Sequence, residues 1–117
     1  MPQRVFLTPR DQGDNDSRWF DIEKATKYDE ETYWNGSNNI SVATGNQWNH
    51  ETLYKTATGN WVLHSDSNWQ GCHESYEHIM LVEAVPWLIK NNHDIDDLGL
   101  TDLQKRAANQ IVDDLEV

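Results

Sequence analysis

Polar and apolar residues alternate with a period of two through the middle of the chain, from Trp34 to Leu63. The segment reads WNGSNNISVATGNQWNHETLYKTATGNWVL, and its only charged residues are Glu51 and Lys55. Such alternation is typical of strands that are buried on one face. Three pairs that tolerate the positive φ of hairpin turns interrupt it: Asn35-Gly36, Gly45-Asn46 and Gly59-Asn60. The segment therefore predicts an antiparallel meander.

The N-terminal third predicts further strands, separated by a loop and a turn. In order, we expect a strand over residues 4–8, a loop over 11–17, a turn of helix over 21–27 and a strand over 28–34. Pro9 ends the first strand, because proline cannot donate a hydrogen bond to a sheet. Asp21 is the expected N-cap of the helical turn.

The period changes to that of a helix from Leu81 onward. Apolar residues then recur three and four positions apart: Leu81, Ala84, Val85, Leu88 and Ile89. This pattern predicts one helix that ends near residues 90–92. Pro86 is acceptable in it if it lies in the first turn, where a missing N–H costs little.

A second helix is predicted after Thr101, because Thr101 and Gln104 have the spacing of a capping box. Its apolar face is expected to consist of Leu100, Leu103, Ala107, Ile111 and Leu115. Together, these patterns predict an α+β fold, in which an antiparallel four- or five-stranded meander sheet is covered by two C-terminal helices.

Length and composition indicate a single domain, residues 1–117, with a modest core. Hydrophobic residues make up only 37% of the chain, so the six Trp and four Tyr are expected to supply much of the buried area. The tryptophans assigned to the core on this ground are Trp34, Trp48, Trp61, Trp69 and Trp87. The alternative for the same rings is a platform that stacks on a carbohydrate or a peptide.

The chain is strongly acidic, with 9 Lys and Arg against 20 Asp and Glu and a formal net charge of −11. A nucleic acid backbone would be repelled, so nucleic acid is excluded as a direct partner. The same surface attracts metal cations or a basic protein surface. Acidity also keeps a small domain in solution, which is the simpler explanation.

Cys72 is the only cysteine, which excludes an intramolecular disulfide and is typical of a reducing compartment. No segment has the roughly 18 consecutive apolar residues of a membrane span. Residues 1–10 lack the apolar core of a signal peptide. We therefore expect a cytoplasmic protein with no membrane partner.

Carboxylates are concentrated in two predicted loops, which makes these loops candidates for a metal site. Two carboxylates about 4 Å apart repel by roughly 4 kcal/mol at an effective dielectric of about 20, and a bound cation removes this repulsion. Calcium suits such loops, since it accepts several oxygens in flexible geometry. The candidate ligands there are Asp11, Asp14, Asp16, Asp94, Asp96 and Asp97. For each cluster taken alone, a solvated acidic surface is the simpler explanation.

Motifs for other kinds of site do not occur in the sequence. The nearest match to an EF-hand loop begins at Asn92 and has Asp97 where the glycine belongs. The histidines lack a zinc spacing, and the adjacent Cys72 and His73 are not expected to face each other as a catalytic pair. There is no glycine-rich phosphate loop and no nucleophile elbow. We therefore expect that the protein is not an enzyme.

The central run WNGSNNISVATGNQWNHETLYKTATGNWVLH, continued by NWQG, SYEHI and EAVPWLIKN, resembles a group of small bacterial proteins. With its length and acidity, the chain is similar to the CcbP family of cyanobacterial calcium-binding proteins. The resemblance spans Trp19 to Asn92. It implies a cytoplasmic protein that binds calcium without an EF-hand, buffers free calcium and thereby influences heterocyst differentiation.

Comparison with the group that the chain resembles adds three acidic residues as candidate ligands: Asp66, Glu74 and Glu77. Asp66 stands between His64 and Trp69, where the wider group tends to be apolar. The first functional hypothesis is therefore a calcium buffer. The alternative is an acidic protein-interaction module, for example an inhibitor or an antitoxin-like protein, that covers a basic partner surface.

Overall fold

In the computed structural model, residues 3–8, 18–67 and 74–117 are described, and they form strands followed by helices. The strands are β1 Arg4–Phe6, β2 Trp19–Asp21, β3 Thr26–Asp29, β4 Thr32–Trp34, β5 Asn39–Ser41, β6 Asn49–Lys55, β7 Trp61–Ser67 and β8 Ser75–Ile79. The helices are α1 Leu81–Lys90 and α2 Asp102–Leu115, with a 3-10 turn, Ile95–Asp97, between them. The predicted loop over residues 11–17 lies outside the described residues.

The described strands pair antiparallel in three sheets rather than in one. The central sheet has the order β3-β6-β7-β8, while β1 pairs with β2 and β4 pairs with β5. The α+β fold, with antiparallel sheets and two C-terminal helices, is thus confirmed. The single meander is confirmed only for β6, β7 and β8, because the β4–β5 hairpin forms its own pair between β3 and β6.

Glycines at the predicted turns have the expected backbone. Gly36, Gly45 and Gly59 have φ of 101°, 77° and 88°, a region that side chains with a Cβ rarely adopt. The turn at Gly36 joins β4 to β5, and the turn at Gly59 joins β6 to β7. These turns set the strand boundaries where the sequence predicted them.

Alternation along β6 and β7 divides the central sheet into a helix face and an outer face. Leu53 and Trp61 point to the helix face, where they pack with Leu88 of α1. Their neighbours Tyr54 and Val62 point to the outer face and pack against Phe20 of the β1–β2 hairpin. The sheet is therefore covered on one face by the helices and on the other by the N-terminal hairpin.

Helix α1 contains Pro86 beyond its first turn, where the sequence analysis did not expect it. Proline removes the hydrogen bond to the carbonyl four residues earlier, which here belongs to Val82. Val82 is exposed, so its carbonyl is on the side of the helix that water reaches. The buried side of α1, with Ala84, Val85 and Leu88 at 0% exposure, keeps the helix on the sheet.

Helix α2 begins with the predicted capping box but buries a different face. Gln104 N–H donates to Thr101 Oγ1 over 3.2 Å, and Thr101 N–H donates to Gln104 Oε1 over 3.1 Å. Leu103 was expected in the core and is 77% exposed, whereas Ala108 is fully buried. Ala108 belongs to the core cluster that also contains residues of α1, and its small side chain allows α2 to approach this core closely. The buried face of α2 is therefore rotated about the helix axis from the predicted face.

Two predicted elements in the first third differ from the structure. Residues 22–25 form a turn without a helix, although Asp21 Oδ1 accepts the Glu23 N–H over 3.0 Å as a cap would. The strand expected over residues 28–34 is broken between β3 and β4. The break follows from Glu30, whose carboxylate turns inward and accepts the Glu51 N–H.

The tryptophans divide between core and surface. Trp61 and Trp87 are buried, at 4% and 9% exposure, as predicted. Trp34 and Trp48 are 63% and 43% exposed, so the prediction that they lie in the core was wrong. Trp34 lies in the short β4–β5 hairpin, which is not part of the central sheet, and Trp69 lies outside the described residues.

None of the helices that the structure describes has the length and apolarity needed to span a membrane.

Candidate functional site

A cavity of about 810 Å³ lies between the β1–β2 hairpin and the β6–β7 turn. Its apolar lining comes from residues that the hairpin packs on the outer face of the sheet, including Leu7, Phe20 and Val62. Thr56, Ala57 and Thr58 of the β6–β7 turn form another wall. The cavity is thus formed where the hairpin covers the sheet incompletely, and its volume is in the usual range of small-ligand sites.

The charged side chains around this cavity are mostly basic. Arg4, Arg18 and Lys24 line it, and Asp21 is the single acid among its described lining residues. Asp21 Oδ1 already accepts the backbone N–H of Gln3 over 3.2 Å and that of Glu23 over 3.0 Å. In a chain with a formal net charge of −11, this is a local concentration of positive charge.

Trp19 and Arg4 form a cation–π pair at the edge of the cavity. The Arg4 guanidinium carbon lies 4.8 Å from the centre of the Trp19 ring, and the indole is 48% exposed. The β1–β2 register, which pairs Arg4 with Asp21 and Phe6 with Trp19, places the two side chains diagonally across the hairpin. An aromatic surface and a cation are therefore held together beside the cavity.

These basic residues were not predicted as a site from the sequence. A signal was present, because five of the nine Lys and Arg fall within residues 4–27: Arg4, Arg10, Arg18, Lys24 and Lys27. The spacing of these residues matched no motif, and only the hairpin brings Arg4 close to Lys24 and Trp19.

The acidic loop at residues 94–97 has its carboxylates engaged in local structure. Asp94 Oδ1 accepts the Asp96 N–H over 2.9 Å and caps the 3-10 turn. Asp96 Oδ1 lies 3.4 Å from Lys105 Nζ in an exposed ion pair. Ile95 and Leu98 are buried between these acids, so the turn is anchored by apolar contacts and its three carboxylates, including that of Asp97, face solvent.

Asp66 and Glu74 both lie near Tyr76, at the end of the β7–β8 pair. The β7–β8 register pairs His64 with Tyr76 and ends with Ser65 and Ser75, and Asp66 and Glu74 are the residues next to this last pair. Both carboxylates act on Tyr76: burial raises the pKa of its phenol well above the ordinary value, and the hydrogen bond and charge of Glu74 and the charge of Asp66 raise it further. Like charges that lie close together on a sheet repel each other.

His64 joins this pair. Its ring stacks on Tyr76 with centroids 4.3 Å apart, and its Nε2 lies 3.1 Å from Glu74 Oε1. That contact is not aligned as a hydrogen bond, so the buried Nε2 lacks a hydrogen-bond partner among the described residues. The ring therefore lies beside Glu74 without a hydrogen bond to it, and the contact is an ion pair only if the ring is protonated.

The other predicted ligands do not lie beside Asp66 and Glu74 in the described structure. Glu77 lies one residue beyond Tyr76 and so points to the helix face, where its charge acts on Glu51. Asp11, Asp14 and Asp16 lie outside the described residues. Across residues 3–8, 18–67 and 74–117, no group of three or more His, Cys, Asp or Glu is arranged to hold a metal ion.

A buried polar centre on Glu30 also escaped the sequence analysis. Its carboxylate accepts hydrogen bonds from the Ser41 hydroxyl and, over 3.0 Å, from the Glu51 N–H. Its Oε1 lies 2.6 Å from His50 Nδ1. Because these partners belong to β5 and β6, Glu30 connects the β4–β5 hairpin to the central sheet, which is a structural role.

Comparisons with protein-family models, with curated proteins and with solved structures gave no match to this chain. Functional inference therefore rests on the chain's own residues and their geometry.

Proposed function

We propose that the protein binds calcium without an EF-hand and acts as an acidic, cytoplasmic calcium buffer. The observation that carries the proposal is that the carboxylates of Asp66 and Glu74, next to the last pair of the β7–β8 register, both act on Tyr76. Like charges that are close together repel, and a bound cation removes this repulsion. Carboxylate oxygens on a chain of net charge −11 are the ligands that calcium prefers.

The path of the chain supports the same region. Thr8 is the last described residue before the predicted acidic loop, and its N–H donates to the Tyr76 carbonyl over 2.7 Å. Tyr76 N–H in turn donates to Thr8 Oγ1 over 2.9 Å. Thr8, three residues before Asp11 in the sequence, is therefore hydrogen-bonded to Tyr76, which is two residues after Glu74. We include these three aspartates in the proposed ligand set.

The wider role follows from the sequence resemblance. By its resemblance to the CcbP family, we propose that the protein lowers free calcium in the cell and influences calcium-dependent heterocyst differentiation. Binding that is selective for the folded state stabilises the fold by RT ln(1 + [Ca²⁺]/Kd), so buffering and stability are linked.

Calorimetric titration of the metal-free protein with calcium, and separately with magnesium, tests the proposal. We expect calcium binding at tens of micromolar or below. D66N and E74Q should each weaken it by about tenfold, since affinity follows the number of charged ligands. A D11N/D14N/D16N variant tests the predicted loop separately.

D113N is the matched control, because Asp113 is exposed at the far end of α2 and its loss changes the net charge equally. It should leave the affinity within a factor of about two, as expected for screened surface charges. Equal weakening by D113N and D66N would mean that calcium only follows the net charge. Failure of the unaltered protein to bind calcium would refute the proposal.

A further inference from the structure

The cavity beside the N-terminal hairpin has two chemically different parts. Its interior is apolar, with Leu7, Phe20 and Val62 each less than 10% exposed. Its edge carries Arg4 and Lys24, together with the exposed indole of Trp19. A ligand that satisfies both parts has an apolar body that enters the cavity and a negative charge that stays at its edge.

The arrangement of Trp19 makes an aromatic body the better match. Its ring is oriented by Arg4 at 4.8 Å and by its place in β2, so it offers a planar surface that does not have to be ordered on binding. Aromatic groups stack on such a surface, and a guanidinium binds carboxylates and phosphates through several N–H groups. Pre-organised groups lose little conformational entropy when a ligand binds.

The rest of the molecule argues against a large polyanion. A long anionic chain would extend beyond the cavity onto a surface whose net charge is −11, and it would be repelled there. A compact anion avoids this repulsion, because it contacts only the basic residues at the cavity. A volume of about 810 Å³ is also matched to a small molecule.

We propose that this cavity binds a small organic anion with an aromatic body and a carboxylate, phosphate or sulfonate group. The cavity and the proposed calcium site share no residue, although both lie on the outer face of the sheet, where Phe20 packs against Tyr76. Either proposal can therefore fail without the other.

A pair of fluorescent probes tests both parts of the site. The first is 8-anilinonaphthalene-1-sulfonate, which carries one negative charge, and the second is its uncharged analogue N-phenyl-1-naphthylamine. We expect the sulfonate to bind the folded protein more tightly than the neutral probe. K24Q and R4Q should each weaken the binding of the sulfonate by about two- to fivefold, the range for partly exposed ion pairs. The affinity for the neutral probe should stay unchanged.

R106Q is the charge-matched control, because Arg106 is exposed on α2, away from the hairpin. A57W is the blocking variant: Ala57 lines the cavity and is exposed, and its φ is not in the left-handed region, so a large side chain can be added without backbone strain. A57W should abolish the binding of both probes while all charges are kept. Thermal unfolding of each variant shows that the fold is retained.

Three results would overturn the inference. Equal weakening by R106Q and K24Q would show that the anion responds to overall charge and not to this cavity. Binding that survives A57W would place the probes elsewhere on the protein. Equal affinity for the charged and neutral probes would mean that Arg4 and Lys24 do not bind the negative charge of the ligand.

Discussion

The indole N–H of Trp87 donates a hydrogen bond to Glu51 Oε1 over 3.1 Å, which joins helix α1 to strand β6. Burial raises the pKa of the Glu51 carboxyl, and the nearby carboxylates of Glu30 and Glu77 raise it further. The Trp87 hydrogen bond and the charge of Lys90 act in the opposite direction but do not cancel these effects. Ionisation of Glu51 is therefore less favourable in the folded state than in the unfolded chain.

We predict that E51Q is more stable than the unaltered protein at pH 7. The folded-state pKa of Glu51 lies above the unfolded value, so its stabilising contribution is complete below about pH 4.3, the ordinary glutamate pKa, and is lost as pH rises through the folded value. Glutamine stays neutral and its amide oxygen can still accept the Trp87 N–H. The gain should therefore disappear near pH 4, as measured by urea unfolding at several pH values.

E23Q is the control for this prediction, because Glu23 is exposed in the turn after β2 and its loss changes the net charge by the same amount. It should give a smaller gain than E51Q at pH 7. A gain of equal size would mean that the effect comes from lowering the net charge of −11 and not from the site of Glu51.

A second prediction concerns Asn91, which is 2% exposed at the end of α1. Its Oδ1 accepts the Glu31 N–H over 2.9 Å, and its Nδ2 donates to the Trp87 carbonyl over 2.8 Å. N91A should lower the free energy of unfolding by about 1–3 kcal/mol, since the partly buried Glu31 N–H and the buried Trp87 carbonyl both lose a hydrogen bond. Chemical denaturation measures this directly.

N109A is its control, because Asn109 is exposed on α2 and alanine favours a helix. It should leave stability unchanged or slightly raised. A loss below about 0.5 kcal/mol in N91A, the range of ordinary surface substitutions, would show that water replaces the amide at no cost.

Local signals in the sequence predicted the turns and the helix starts. Gly59 has the positive φ that its turn requires, and Thr101 forms its capping box with Gln104, because each depends on a few neighbouring residues. Strand partners depend on distant residues. The β4–β5 hairpin and the turn inward at Glu30 therefore could not be found from alternation alone.

Site prediction had the same limit. Asp66 and Glu74 became candidates through the family resemblance, but their common position beside Tyr76 depends on how β7 pairs with β8. Periodicity did not show that Asp94 caps the 3-10 turn or that Asp96 forms an ion pair with Lys105. Such local uses of carboxylates are common, so acidic loops alone do not identify ligands.

A third prediction separates the buried and exposed leucines of the two helices. Leu88 is fully buried between α1 and the sheet, whereas Leu103, which the sequence analysis assigned to the core, is 77% exposed. L88A should cost about 2–5 kcal/mol through lost burial and a cavity, and L103A less than about 0.5 kcal/mol. If chemical denaturation showed a large loss of stability in L103A, Leu103 would belong to the buried face of α2, as the sequence predicted.

The last prediction concerns Glu30, whose carboxylate accepts from Ser41, a residue at 0% exposure, and from the Glu51 N–H. In E30A the Ser41 hydroxyl and the Glu51 N–H both lose their acceptor, because both donate to the same carboxylate oxygen, Oε2. We expect a loss of about 1–3 kcal/mol in the free energy of unfolding. E31A is the matched control, because Glu31 is the next residue, has the same charge and has an exposed side chain. If both variants lost the same stability, the role of Glu30 in connecting the β4–β5 hairpin to the sheet would have to be abandoned.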